Sequence, residues 1–224
     1  MKIGIIGSGI VGQTLGAKLA ERGEDVVLGT RSPSDVDSKR GMGASLKDWL
    51  SRSGNKARIA SFADAAAHGE VVINATPGPA SIEALTAAGV ANLAGKVLID
   101  VSNPLDFSRG FPPTLSVCNT DSNAEQIQRA FPDAKVVKTL NTTTAAVMVD
   151  PAKVANGDHD LFVSGNDAEA KAQVAEHLKQ WFGWRSVIDL GDIATARGAE
   201  MLLPIWVRVY TALGTPMFNF KIAR

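Results

Sequence analysis

The sequence predicts an α/β fold: a Rossmann doubly wound parallel sheet with a smaller C-terminal α/β domain. Three observations predict it. The first is the opening stretch Met1-Lys2-Ile3-Gly4-Ile5-Ile6-Gly7-Ser8-Gly9-Ile10-Val11-Gly12, an apolar run that breaks into glycines and is followed by a helical pattern from Ile10 to Arg22. The second is that short apolar runs then alternate with helical patterns, the rhythm of βαβ units and a parallel sheet. The third is that the runs end in polar, glycine- or proline-bearing tips, and in open parallel sheets a ligand lies outside the strands' carboxyl ends.

Lys2–Ile6 reads as a buried strand. Gly7, Gly9 and Gly12 hold the Gly-x-Gly-x-x-Gly spacing, in which the first permits a tight turn, the second lets backbone approach a pyrophosphate and the third lets the helix lie close to the strand. The turn as a whole, Gly7, Ser8, Gly9, Ile10, Val11 and Gly12, is the candidate phosphate cradle, because a helix start presents N–H donors and the positive dipole end. The second strand runs through Val26-Val27-Leu28 and ends in Gly29-Thr30-Arg31-Ser32. An NAD-binding unit places Asp or Glu near this point for the ribose 2′-hydroxyl. Here Thr30, Arg31 and Ser32 stand instead, and a guanidinium fork suits a phosphate, so NADP(H) is expected over NAD(H). Asp35 and Asp37 argue against an anion site, Lys39 and Arg40 for one.

Ala44–Leu50 then reads as helix, Ala57–Ala60 as a short strand, and Ser61 as the start of an alanine-rich helix. Glu70–Asn74 is a strand ending in Ala75-Thr76-Pro77, Ser81–Ala88 a helix, and Lys96–Val101 a strand ending in Ser102-Asn103-Pro104. Asp106 to Asn119 is too long for a simple turn and reads as a lid or a wrap around a pocket. Ser122 and Glu125 form a helix-starting pair. Lys135–Asn141 is another strand, and its tip, Asn141-Thr142-Thr143-Thr144, joins the same crevice. With a boundary after Asn141, residues 1–141 form the dinucleotide-binding domain, and residues 142–224 the small domain with the substrate cleft. In the latter, Leu161–Val163 and Arg185–Leu190 read as strands and Asp167–Phe182 as a helix. Ala199–Leu213 is apolar nearly all round, which predicts burial against its own domain or a second subunit, with a homodimer preferred. Pro204 predicts a kink or a new helix start there. Met217, Phe218 and Phe220 read equally as walls for a flat aromatic ligand or as core.

The 224 residues are enough for one large domain, and 45% hydrophobic content is normal for a full core. The formal net charge is zero, so no global field draws the chain to nucleic acid or an anionic membrane. The single cysteine, Cys118, excludes an internal disulfide and a cysteine metal cluster, and reads as inert. The opening apolar run is short and glycine-interrupted, unlike a signal peptide; a cytoplasmic location is expected. No run of about 20 apolar residues spans a membrane. His68, His159 and His177 sit in polar sequence, read as exposed, and form no metal spacing. No catalytic acid, base or nucleophile declares itself, so the catalytic residues are unknown.

Taken together these residues resemble the family of NADPH-dependent reductases of coenzyme F420, an 8-hydroxy-5-deazaflavin. The resemblance rests on Lys2 to Gly12, on Gly29-Thr30-Arg31-Ser32, on Thr76-Pro77, on Asn141-Thr142 and on Gly214 to Lys221, and it covers essentially the whole chain. It implies a small C-terminal domain, a cleft between the domains for the deazaflavin, a 2′-phosphate held by Thr30, Arg31 and Ser32, and Asn141 and Met217 near the ring stack. The chain departs from the family pattern at Gly78, where an aromatic often follows the tip, and at Asp35, where a base is expected. With NADPH across the strand tips, its nicotinamide falls at Thr76, Ser102 and Asn141, and a direct hydride transfer depends on alignment more than on acid–base groups. Two alternatives stay open: an NADPH-dependent reductase of a flavin, ferric chelate or small imine, and a non-catalytic NADP(H)-binding redox sensor.

Overall fold

A computed structural model of the chain describes residues 1–54 and 57–223. The elements run β1 (Lys2–Ile6), α1 (Ile10–Glu21), β2 (Asp25–Thr30), α2 (Leu46–Ser53), β3 (Ala57–Ser61), α3 (Phe62–His68), β4 (Val71–Asn74), α4 (Ser81–Ala88), α5 (Val90–Leu93) and β5 (Val97–Asp100). They continue β6 (Leu105–Asp106), β7 (Thr114–Leu115), α6 (Asn123–Ala130), β8 (Lys135–Lys138), α7 (Ala145–Met148), β9 (Asp160–Val163), α8 (Ala168–Phe182), β10 (Ser186–Asp189), α9 (Ala196–Met201) and α10 (Leu203–Leu213).

Six strands form one sheet in the order β3-β2-β1-β4-β5-β8, all parallel. Alternate residues feed opposite faces. Ile5, Leu28, Ile73 and Ile99 enter the core shared with α1, α2 and α8; Ile6, Val27, Val72 and Leu98 enter the core shared with α3, α4 and α6. This is the doubly wound α/β architecture, and its strand order reverses between β1 and β4, where such folds open a crevice. Gly4 in β1 has a packing cause: a Cβ there would meet the Ala65 carbonyl oxygen of α3 at 2.1 Å.

The C-terminal strands β9 and β10 pair in parallel as a separate two-stranded sheet, joined to the end of β8 by a bridge between Lys138 and Ser164. Leu161, Trp181 and Trp184 share the core of Ile5 and Leu15. Arg22 Nε donates to the Trp181 carbonyl at 3.1 Å, and Trp181 Nε1 donates to Glu24 at 3.0 Å, tying α8 to the end of α1.

Two stretches that the sequence left open take definite form, and one expectation needs correction. The apolar stretch from Ala199 to Leu213 is two helices, with Pro204 in the first turn of α10, and only Leu203 and Val207 of α10 are buried; Ile205 and Leu213 remain 49% and 60% exposed. The connection from Asp106 to Asn119 carries an antiparallel pair, β6 with β7, and leaves Phe107 and Phe111 exposed. The histidines are not simply exposed. His159 is buried, donates from Nε2 to Pro151, accepts at Nδ1 from Asn219, and lies edge-on to Trp184. His177 stacks on Trp181 at 4.3 Å, and burial lowers its pKa first of all. Polar neighbours in sequence conceal the burial of His159 because Asn219 and Trp184, which cover it, are distant in the chain.

Candidate active site

At the β1–α1 turn each glycine meets a different environment. Gly7 has φ 116°, and a Cβ there would lie 2.7 Å from the Ala75 carbonyl oxygen, so the β1 and β4 tips close on one another. A Cβ at Gly12 would stand 1.9 Å from the Gly7 carbonyl oxygen, which fixes how tightly α1 seats on its strand. At Gly9 nothing lies within 4 Å. Gly9 is also the N-cap of α1, where no side chain caps the helix and no acid stands in the first turn. Ser8, Ile10 and Val11 complete the turn. The backbone there is open to an anion, which is what a pyrophosphate needs.

At the β2 tip, Thr30 is buried and accepts a hydrogen bond from Ser8 Oγ at 3.1 Å, while Arg31 and Ser32 are exposed. The nearby acids are engaged elsewhere: Asp35 with Arg40 at 3.3 Å, Asp37 with Lys47 at 3.6 Å. Hydrogen bonds from Ser38, then the Arg40 charge, hold the Asp35 carboxyl below its usual range. Among the described residues no carboxylate pairs with Arg31. Arg40 Nε is buried without a partner beside this tip.

The remaining tips are laced together. Ala75 N–H donates to the Ile6 carbonyl at 2.8 Å, Val101 N–H to Asn74 at 3.1 Å, and Gly78 N–H to Asn103 at 3.0 Å. The last contact explains Gly78: a Cβ would sit 2.4 Å from the Asn103 carbonyl oxygen, so no aromatic fits after Pro77 while these tips touch. Thr76 Oγ1 donates to Asn74 at 2.6 Å. Ser102 Oγ donates to Asp100 at 2.7 Å and accepts from Asn123 at 2.7 Å. Asn141 donates to Asn103 Oδ1 at 3.0 Å and to the Ala199 carbonyl at 3.1 Å, while Asn103 donates back to the Asn141 carbonyl. The side chains of Thr76, Ser102 and Asn141 are therefore all engaged at the tips of β4, β5 and β8: Thr76 within its own turn, Ser102 with Asp100 and α6, and Asn141 with the β5 tip and α9.

Met217 and Phe218 follow α10. Phe218 stacks on Trp206 at 5.2 Å, Met217 is partly exposed, and the segment is anchored by Phe220, whose carbonyl accepts from Asp160 N–H at 3.0 Å at the start of β9. The Phe218 ring also meets Phe220 edge-on, and Met217 N–H donates to Thr215 Oγ1 at 3.2 Å.

Sequence reasoning missed the charged cluster at the ends of β5 and β8. Lys138 is fully buried and donates to Asp100 at 2.8 Å, to the Ser102 carbonyl at 2.5 Å and to Glu200 at 2.9 Å. Glu200 in turn accepts from the Asn123 and Ala124 N–H groups at the start of α6. Burial alone would lower the Lys138 pKa, but the Asp100 and Glu200 charges outweigh it and raise it. A signal existed in the sequence: Asp100 follows the apolar Val97–Ile99 and Lys138 follows Val136-Val137, and the sheet register pairs them directly.

The pattern of the family of coenzyme F420-dependent NADP oxidoreductases matches residues 2–104. A solved structure from Arthrobacter sp. FB24, whose own assignment as an F420-dependent NADP-reductase is provisional, is 57% identical over the full length of both chains, with a TM-score of 0.95. The F420-dependent NADP reductase of Methanocaldococcus jannaschii is 29% identical over 96% of each chain. Metalloreductase STEAP3 of Rattus norvegicus is 31% identical over 97% of this chain, which spans only 40% of that protein's length. No helix among the described residues is long and apolar enough to cross a membrane. With the crevice at the β1–β4 reversal, the open glycine turn and these relatives together, the chain belongs to the coenzyme F420-dependent NADP oxidoreductase family and is an NADP-dependent oxidoreductase.

Proposed function

We propose that the chain transfers a hydride between NADPH and the deazaflavin coenzyme F420. The cofactor half of this reading is carried by one observation: the glycine turn and the unpaired Arg31 lie at the ends of adjacent strands β1 and β2, a spacing of about 4.8 Å per strand that suits a pyrophosphate and a 2′-phosphate on one nucleotide. Gly7 to Gly12 hold the pyrophosphate, and Thr30, Arg31 and Ser32 hold the 2′-phosphate. Ala75-Thr76-Pro77, Ser102-Asn103 and Asn141 bound the nicotinamide. NADPH bound there supplies the hydride. The chain's own residues align the two rings and keep water out, and no side-chain acid or base is required between them.

The acceptor half is supported by the F420-dependent reductase of M. jannaschii, which matches this chain end to end. Met217 and Phe218, with Asn141, are the acceptor-side residues of this reading. The exposed apolar face of α10, with Ile205 and Leu213, is the contact with a second copy of the chain, which sedimentation velocity decides. The likeness to a metalloreductase supports a second reading, in which the acceptor is a flavin or a ferric chelate.

The deciding experiment mixes the protein with NADPH and oxidised deazaflavin and follows the deazaflavin absorbance. Loss of that absorbance on the scale of seconds is expected. Turnover of flavin or ferric chelate alone would replace the acceptor, and NADPH binding with no turnover of any acceptor would leave a redox sensor.

A further inference from the structure

Among the polar side chains at the crevice tips, almost all are committed: Thr76 to Asn74, Ser102 to Asp100 and Asn123, Asn103 and Asn141 to each other. Two are not. The hydroxyls of Thr142 and Thr143 are buried and have no hydrogen-bond partner, although the two residues are only 1% and 6% exposed. Buried hydroxyls without partners are rare, and each calls for an explanation. Packing does not supply one, because valine would fill the same space with no unmet polar atom.

Their position points to a ligand. They follow Asn141 directly, in the turn at the carboxyl end of β8. Leu140 enters that turn at φ 61°, a conformation costly for a branched side chain, and Thr143 N–H closes it on the Leu140 carbonyl at 3.4 Å. The asparagine pair Asn103–Asn141 locks the turn to the β5 tip. In the strand order, β8 lies three places from β1 on the side away from β2. A dinucleotide with its pyrophosphate at β1 and its phosphorylated ribose at β2 extends its other half in this direction. A hydroxyl both donates and accepts. A primary carboxamide presents one acceptor oxygen and an N–H2 donor, so two neighbouring hydroxyls match it where a phosphate would use only their donors.

We propose that Thr142 and Thr143 bind the carboxamide of the nicotinamide ring and so set the ring's orientation for hydride transfer. This rests on the reading of NADPH across the strand tips. The two are positioning residues for the reaction, distinct from Thr76, Ser102 and Asn141.

The test measures dissociation constants of NADPH and of 2′-phospho-ADP-ribose, which lacks the nicotinamide, for the wild type, Thr142→Val, Thr143→Val and the double variant. The double variant is expected to bind NADPH at least 10-fold more weakly, to bind 2′-phospho-ADP-ribose as the wild type does, and to keep or raise the melting temperature of the ligand-free protein. Thr142→Ser and Thr143→Ser, which keep the hydroxyls, are expected to retain NADPH affinity, and they decide the matter if a valine variant does not fold. Unchanged NADPH affinity in the double variant, equal losses for both ligands, or serine variants as weak as the valine ones would overturn the proposal. A wild type that binds neither ligand would instead remove the NADPH reading on which it rests.

Discussion

Gly9 separates a ligand's requirement from a packing requirement. Gly7 and Gly12 are glycine because backbone atoms of the protein already occupy the space of a side chain; Gly9 has open space and still carries none. Gly12→Ala is therefore expected to destabilise the ligand-free fold by about 1–3 kcal/mol, the range for overpacking, while Gly9→Ala leaves it within about 0.5 kcal/mol and weakens NADPH. Denaturant unfolding of the two variants checks this, and equal destabilisation would sink the distinction. The glycine roles are legible in sequence because spacing within one turn is a local property. The long-range commitments, Ser102 with Asn123 of α6 and Asn141 with Asn103 and with Ala199 of α9, are not legible, because those partners are distant in the chain. The burial of His159, whose partner Asn219 lies 60 positions on in the chain, escapes the sequence for the same reason.

The alternation of strand and helix was readable because apolar runs bounded by polar tips carry their own period. Capping was readable too: Ser122 Oγ accepts from Glu125 N–H at 3.1 Å, and Ser61 and Asp167 cap α3 and α8. What joins the elements was not. Lys138 fastens β8 to the β5 end and to α9 through Asp100 and Glu200. Lys138→Met leaves two carboxylates buried without their cation and is expected to cost about 3–5 kcal/mol. The pH dependence has a definite sign. A lysine whose pKa is raised on folding contributes stability that is present below its ordinary value of 10.5 and is lost as pH rises through the higher folded value. Unfolding free energies measured into the alkaline range should show that loss in the wild type and not in Lys138→Met. A variant as stable as the wild type would contradict the role assigned to the cluster.

Across the whole molecule, the doubly wound sheet and the two strands β9 and β10 were anticipated by the rhythm of the chain. What covers α10 was left open between its own domain and a second subunit, because an apolar sequence shows that a face avoids water without showing what covers it. In the proposed reading the sheet sets the direction of the nucleotide: phosphorylated ribose at β2, nicotinamide toward β8. The central claim is that Arg31 reads the 2′-phosphate. It is tested most directly by measuring NADPH and NADH affinities side by side for the wild type and Arg31→Ala. Loss of a charge-assisted pair predicts a weakening of NADPH by roughly 2–3 kcal/mol with NADH little changed. An equal loss for both coenzymes, or no loss for either, would contradict the account.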